Sequence, residues 1–118
     1  MLKDFTGADH VYIAIGYTDL RKGMDGLALL VLKEFHLDPF SNSLFLFCGK
    51  KADRLKALYY ESDGFILLTK RLDSGKFQWP RSGKEAKELT WQQYRWLMEG
   101  LAVEQPKAIR SGSKYALG

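Results

Sequence analysis

Cysteine occurs once in these 118 residues, at Cys48, so no internal disulfide can form. Its setting in the apolar run Leu44–Cys48 reads as a small buried hydrophobe rather than a reactive thiol. Histidine occurs only at His10 and His36, apart from each other and from Cys48, and no CxxC or HxxxH spacing is present. Neither a metal nor an organic cofactor is therefore expected. No stretch approaches the roughly 18–20 apolar residues that span a bilayer, and the opening MLKDFTGADH has no signal-peptide h-region. A membrane is no expected partner, and the cytoplasm is the expected compartment. Nucleophilic catalysis lacks its marks: Ser41, Ser43 and Ser62 lie in turn contexts and no Gly-x-Ser-x-Gly elbow exists. The glycines at 16, 23 and 26 fit neither the Walker nor the Rossmann phosphate loop. Asp19 and Asp25 interleave with Arg21 and Lys22, whereas a two-metal nuclease site needs several convergent carboxylates, so capping and local ion pairs suit them better. The reading is of a protein that is not an enzyme and has no small-molecule substrate.

What is present is apolar content and unevenly spread charge. At 46% hydrophobic residues the chain can build one core, read as a single domain over 1–104 followed by a basic, flexible tail over 105–118. The net charge of +4 hides a stronger asymmetry, because residues 50–87 carry ten Lys and Arg against five acids. A basic middle of this kind suits a nucleic-acid or acidic partner.

Periodicity places the elements. Val11–Ile15 reads as a strand, and Leu27, Leu30 and Val31 at helical spacing predict a buried helix over about 25–36. Asp38-Pro39 ends it. Four strand-like runs follow, Leu44–Cys48, Leu55–Tyr60, Phe65–Leu72 and Phe77–Trp79, separated at Ser62–Gly64 and Asp73–Gly75 by hairpin signals. The segment RSGKEAKE reads as a polar linker. Thr90 and Gln93 then form a capping box, Leu89 and Tyr94 a hydrophobic staple, and Gly100 a C′ residue, which predicts a helix over 90–99. The expected fold is α+β: a single antiparallel sheet of four or five strands packed with two helices.

The cations stand where these strands begin or end. Arg21 and Lys22 sit in a strand-to-helix turn, Lys50, Lys51, Arg54 and Lys56 at the entry to the third strand, Lys70 and Arg71 at the end of the fourth, and Lys76 in the connector beyond it. These nine are the candidate nucleic-acid-binding residues, suited to phosphate contacts that position a protein without reading sequence. Among the interleaved aromatics, Phe45, Phe47, Tyr59, Tyr60, Phe65, Phe77 and Trp79 divide between core packing and stacking on unpaired bases.

The segments GYTDLRKGMDGL (16–27), DPFS (38–41), LFLFCGKKADRLKALYY (44–60), DGFILLTKRLDSGKFQWP (63–80) and ELTWQQYRWLMEGL (88–101), in this order and spacing, resemble the TnpB family of small accessory proteins from insertion-sequence-66-type mobile elements. The similarity covers about residues 10–110. It implies a protein encoded beside a separate transposase that assists transposition without performing strand transfer. DNA and the transposase of the same element are then the candidate partners, the second through a protein–protein adaptor role. The chain is far too short for the unrelated RNA-guided nuclease that shares the family's name.

Overall fold

The run Ser43–Cys48 has no polar alternation, and every one of its six residues is buried. A strand without a solvent face needs cover on both sides, and that need sets the architecture. The computed structural model describes residues 7–106. In chain order these form β1 (His10–Ala14), α1 (Met24–Lys33), β2 (Ser43–Cys48), β3 (Arg54–Glu61), β4 (Gly64–Arg71), β5 (Ala86–Leu89) and α2 (Trp91–Met98). The five strands make one sheet in the order β4-β3-β2-β1-β5, with β2 at its centre.

The sheet is mostly antiparallel, as expected, but β1 and β2 pair in parallel, with His10 opposite Ser43 and Ile13 opposite Leu46. The cause is α1, which carries the chain back along the sheet so that β2 starts beside the start of β1. The two helices lie on opposite faces. On one, Leu27 and Val31 of α1 cover Ala14, Phe45, Phe47 and Leu58. On the other, Tyr94 and Leu97 of α2, with Phe77, Trp79 and Val103, cover Val11, Ile13, Leu44, Leu46, Leu55 and Leu89. Cys48 lies in this second layer, buried as its sequence context predicts.

α1 is shorter and less enclosed than a buried helix over 25–36. The amides of Glu34 and Phe35 both bond the Leu30 carbonyl, at 2.9 and 3.4 Å, and the left-handed backbone of His36 (φ 55°) ends the turn. Only one stripe packs: Leu29 is 52% and Leu32 50% exposed. α2 matches its signals closely. Thr90 Oγ1 accepts from the Gln93 amide at 3.0 Å, and Gln93 Oε1 accepts from the Thr90 amide at 2.9 Å. At the other end Gly100 adopts φ 84°, its amide bonding Leu97 O at 3.1 Å while that of Leu101 reaches Trp96 O at 2.8 Å, which is a complete Schellman closure.

The middle of the chain departs from the expected meander in two places. Ser62-Asp63 does join β3 to β4 as a two-residue hairpin. Gly75 (φ 80°), however, turns the chain across the sheet face rather than into another pairing strand. Phe77–Trp79 is therefore no strand. The Phe77 amide donates to Ala52 O at 2.7 Å, both rings enter the core, and Trp79 Nε1 donates to Ala14 O at 2.8 Å. The fifth strand comes instead from the segment expected to be a linker, as Ala86–Leu89 pairs antiparallel with β1. Its exposed Glu88 suits a short edge strand, where charge discourages pairing with another chain. The expected tail lies, from residue 107 on, outside the described residues.

Because Trp79 is 6% exposed and holds a buried carbonyl, Trp79→Ala should cost about 3–5 kcal/mol in denaturant unfolding. Trp79→Phe, which keeps most of the ring volume, should cost clearly less. Equal losses for the two would contradict a packing role.

Candidate nucleic-acid interface

Strand alternation separates the charges of the β3–β4 hairpin by face. Arg54 and Lys56 share the α1 face with Leu58, and their partners across the hairpin are Arg71 and Thr69. Arg54 thus stands directly opposite Arg71. Like charges at such a pair repel, and here they face open solvent rather than a carboxylate.

Lys50 and Lys51 are presented beside them by a tight turn between β2 and β3. Gly49 N donates to Arg54 O at 3.1 Å and Ala52 N to Gly49 O at 3.0 Å, with Ala52 held at φ 60°. The third wall is the strap that leaves β1. Gly16 N bonds Pro80 O and Thr18 N bonds Cys48 O, both at 2.8 Å, which ties the strap to two separate segments. Gly16 itself needs to be glycine: it sits at φ 81°, and a Cβ would lie 3.1 Å from Gly83 O.

These walls enclose an open groove of about 1180 Å³ at the end of the sheet where β2 finishes and β3 begins. Arg21, Lys50, Lys51, Arg54, Lys56 and Arg71 line it, along with Asp19 and Asp53. Six of the nine sequence-predicted cations therefore converge. The other three do not. Lys22 lines a neighbouring recess, Lys70 lies on the other face of β4 opposite Leu55, and Lys76 follows the Gly75 turn and lines neither hollow. The recess, about 470 Å³, has Ala14, Ile15, Leu30 and Phe35 in its walls and Lys22, Arg81 and Lys84 among its charges.

Within the described residues the ion pairs are His10–Glu88, Arg21–Asp19 and Lys87–Glu104. Lys50, Lys51, Arg54, Lys56 and Arg71 have no carboxylate partner there. Arg21 differs: its Nε and Nη2 grip Asp19 at 2.9 and 2.8 Å, and its amide bonds the same carboxylate at 3.0 Å. Those hydrogen bonds hold the Asp19 carboxyl down at about 2 and raise the Arg21 guanidinium in turn. Asp25 lies apart in the first turn of α1, and no group of three His, Cys, Asp or Glu side chains that could hold a metal occurs among the described residues.

Two functional candidates escaped the sequence. Tyr17, 59% exposed, borders both hollows, and Arg81 lies with its Cζ 5.9 Å from the Tyr17 ring centre while Lys50 Nζ lies at 6.0 Å. Arg81 Nη2 also donates to Lys50 O at 3.2 Å. No periodic pattern marks either residue, since only the folded chain brings 17, 50 and 81 together. The aromatics expected to divide between core and stacking go mostly to the core: Phe45, Phe47, Phe77 and Trp79 are buried. Tyr59 is partly buried, with its hydroxyl donating to Asn42 Oδ1, and Tyr60 and Phe65 pack against Phe40.

Fold and groove together describe a small α+β protein that presents unneutralised cations at one end of its sheet. A family model for IS66 Orf2-like proteins matches residues 9–108, and the chain belongs to that family, accessory proteins of IS66-type transposition. Among similar proteins is the uncharacterized protein y4hO of Sinorhizobium fredii, 37% identical over 97 residues that span 82% of this chain and 84% of that protein. Another from the same organism, y4jC, is 36% identical over 91 residues, 77% of this chain and 78% of its own. No solved structure matches the chain.

A titration and an alkylation rate check this local chemistry. Asp19 is favoured as the carboxylate in the folded chain, so its contribution to stability is present above its ordinary value of 3.8 and disappears as pH falls through about 2. An NMR titration should find its midpoint near 2, and Arg21→Gln should move it up towards 3.8; an unmoved midpoint contradicts the pairing. Burial pushes the Cys48 thiol up to about 11, so at pH 8 alkylation should be slow in the native protein and fast in denaturant.

Proposed function

We propose that this accessory protein is non-catalytic and binds nucleic acid by its phosphates, through the groove at the end of the sheet. The observation that carries the reading is the Arg54–Arg71 pair with Lys50, Lys51 and Lys56 around it, five cations that make no ion pair among the described residues and that outnumber Asp53, the groove carboxylate not already paired with Arg21. A phosphate backbone supplies the balancing charge. The family supports the process, transposition, and the expected partner is the DNA of the element, in the cytoplasm. Contacts of this type hold the protein on its ligand without selecting a sequence.

A second reading, an adaptor that binds the transposase, draws on Leu29 and Leu32, which α1 leaves exposed one turn apart. The two separate in one experiment. Phosphate binding requires log affinity to fall linearly with log salt, by roughly 0.9 per neutralised phosphate on duplex DNA. Lys50→Glu, Lys51→Glu and Arg54→Glu together should abolish nucleic-acid affinity and transposition support. All three residues are exposed, so the melting temperature should stay near that of the parent. A triple variant with parental affinity and parental transposition would overturn the phosphate reading in favour of the adaptor.

A further inference from the structure

We infer that the groove prefers a single strand to a duplex, with Tyr17 as the platform on which an unpaired base stacks. The inference rests on the phosphate reading above and names the form of its ligand. Tyr17 stands on the strap between the two hollows, and its ring is flanked by cations instead of being packed into the core. Backbone bonds on both of its sides, from Gly16 to Pro80 and from Thr18 to Cys48, fix the backbone that carries it before any ligand arrives. A platform already in place spares the ordering cost that a flexible loop would add to binding.

The surroundings distinguish the two forms of nucleic acid. A duplex turns phosphates and sugars outward and hides the faces of its bases, so it can use the larger groove but not an exposed ring. The smaller recess beside Tyr17 combines apolar walls, Ile15, Leu30 and Phe35, with Lys22, Arg81 and Lys84, against two carboxylates, Glu34 and the Arg21-paired Asp19. Apolar walls beside an aromatic ring suit the faces of unpaired bases, while cations on both sides of the strap suit the phosphates that flank them. A strand crossing at Tyr17 would meet Lys50, Lys51 and Arg54 on one side and Arg81 and Lys84 on the other. Arginine next to an aromatic ring can also stack on a base with its own planar face.

The test compares fluorescence anisotropy of a labelled thymidine oligonucleotide of about 12 nucleotides, within the range of small single-strand sites, with that of a duplex of equal length at the same salt. The parent should bind the oligonucleotide more tightly. Tyr17→Ala should weaken that binding about tenfold, leaving duplex affinity and the salt slope unchanged, and Tyr17→Phe should retain it. The flanking bonds are made by backbone atoms of residues 16 and 18, so Tyr17→Ala should keep the fold, which a melting curve checks. If Tyr17→Ala binds the oligonucleotide like the parent, or weakens both forms equally, the single-strand inference falls while the phosphate reading stands. If the parent shows no salt-dependent affinity for either form, the phosphate reading falls and takes this inference with it.

Discussion

The full burial of β2 is the constraint on which the rest of the structure depends. Phe45 and Phe47 need cover on one side, Leu44, Leu46 and Cys48 on the other, and no single helix can supply both. The chain meets this by sending α1 over one face and by laying α2 and the Phe77–Trp79 segment over the opposite one. Trp79 couples these layers to the backbone through its bond to Ala14 O, which lies in the strand next to β2. With both faces of β2 committed to packing, that strand carries no charged side chain, and charge near it falls to the turn at its end and to the neighbouring strands.

That exclusion explains why the cations converge without being built into the core. The end of the sheet at which β2 stops, β3 starts and β4 stops receives Arg54, Arg71 and the Gly49–Ala52 turn together, and the strap from β1 closes the third side. Asp19 neutralises Arg21 within the strap, but it leaves the neighbouring cations without an ion-pair partner among the described residues. Their mutual repulsion is weak in water because they are exposed and screened, so the fold tolerates it. An incoming polyanion would relieve it. The same burial that stabilises the sheet therefore concentrates the charge that the proposed function uses.

Local signals in the sequence were sufficient for local structure. The β2, β3 and β4 runs, the Ser62-Asp63 hairpin, the Thr90–Gln93 capping box and the closing Gly100 each depend on neighbours within a few residues, and each is present in the fold. What depended on distant partners was not legible. Ala86–Leu89 has the composition of a linker and becomes a strand only because β1 offers an edge. Phe77 and Trp79 alternate like strand residues, yet burial of both rings and the bond to Ala14 O decide their place. The parallel β1–β2 pair follows from the path of α1, which no periodicity reveals. At the candidate site, the number of cations could be read from the chain, whereas their sorting between groove, recess and opposite face needed the register of β3 and β4. Tyr17 and Arg81 carried no signal because their meaning lies in a contact across most of the chain.

The most direct measurement of the central claim is a map of backbone amide shifts as a thymidine oligonucleotide is titrated into the labelled protein. Binding at the groove should perturb amides clustered at Tyr17–Arg21, Gly49–Lys56 and Thr69–Arg71, its three walls, and leave the outer face of α1 around Leu29 and Leu32 unchanged. Shifts concentrated on α1, or spread over the surface with no focus at the end of the sheet, would contradict that claim.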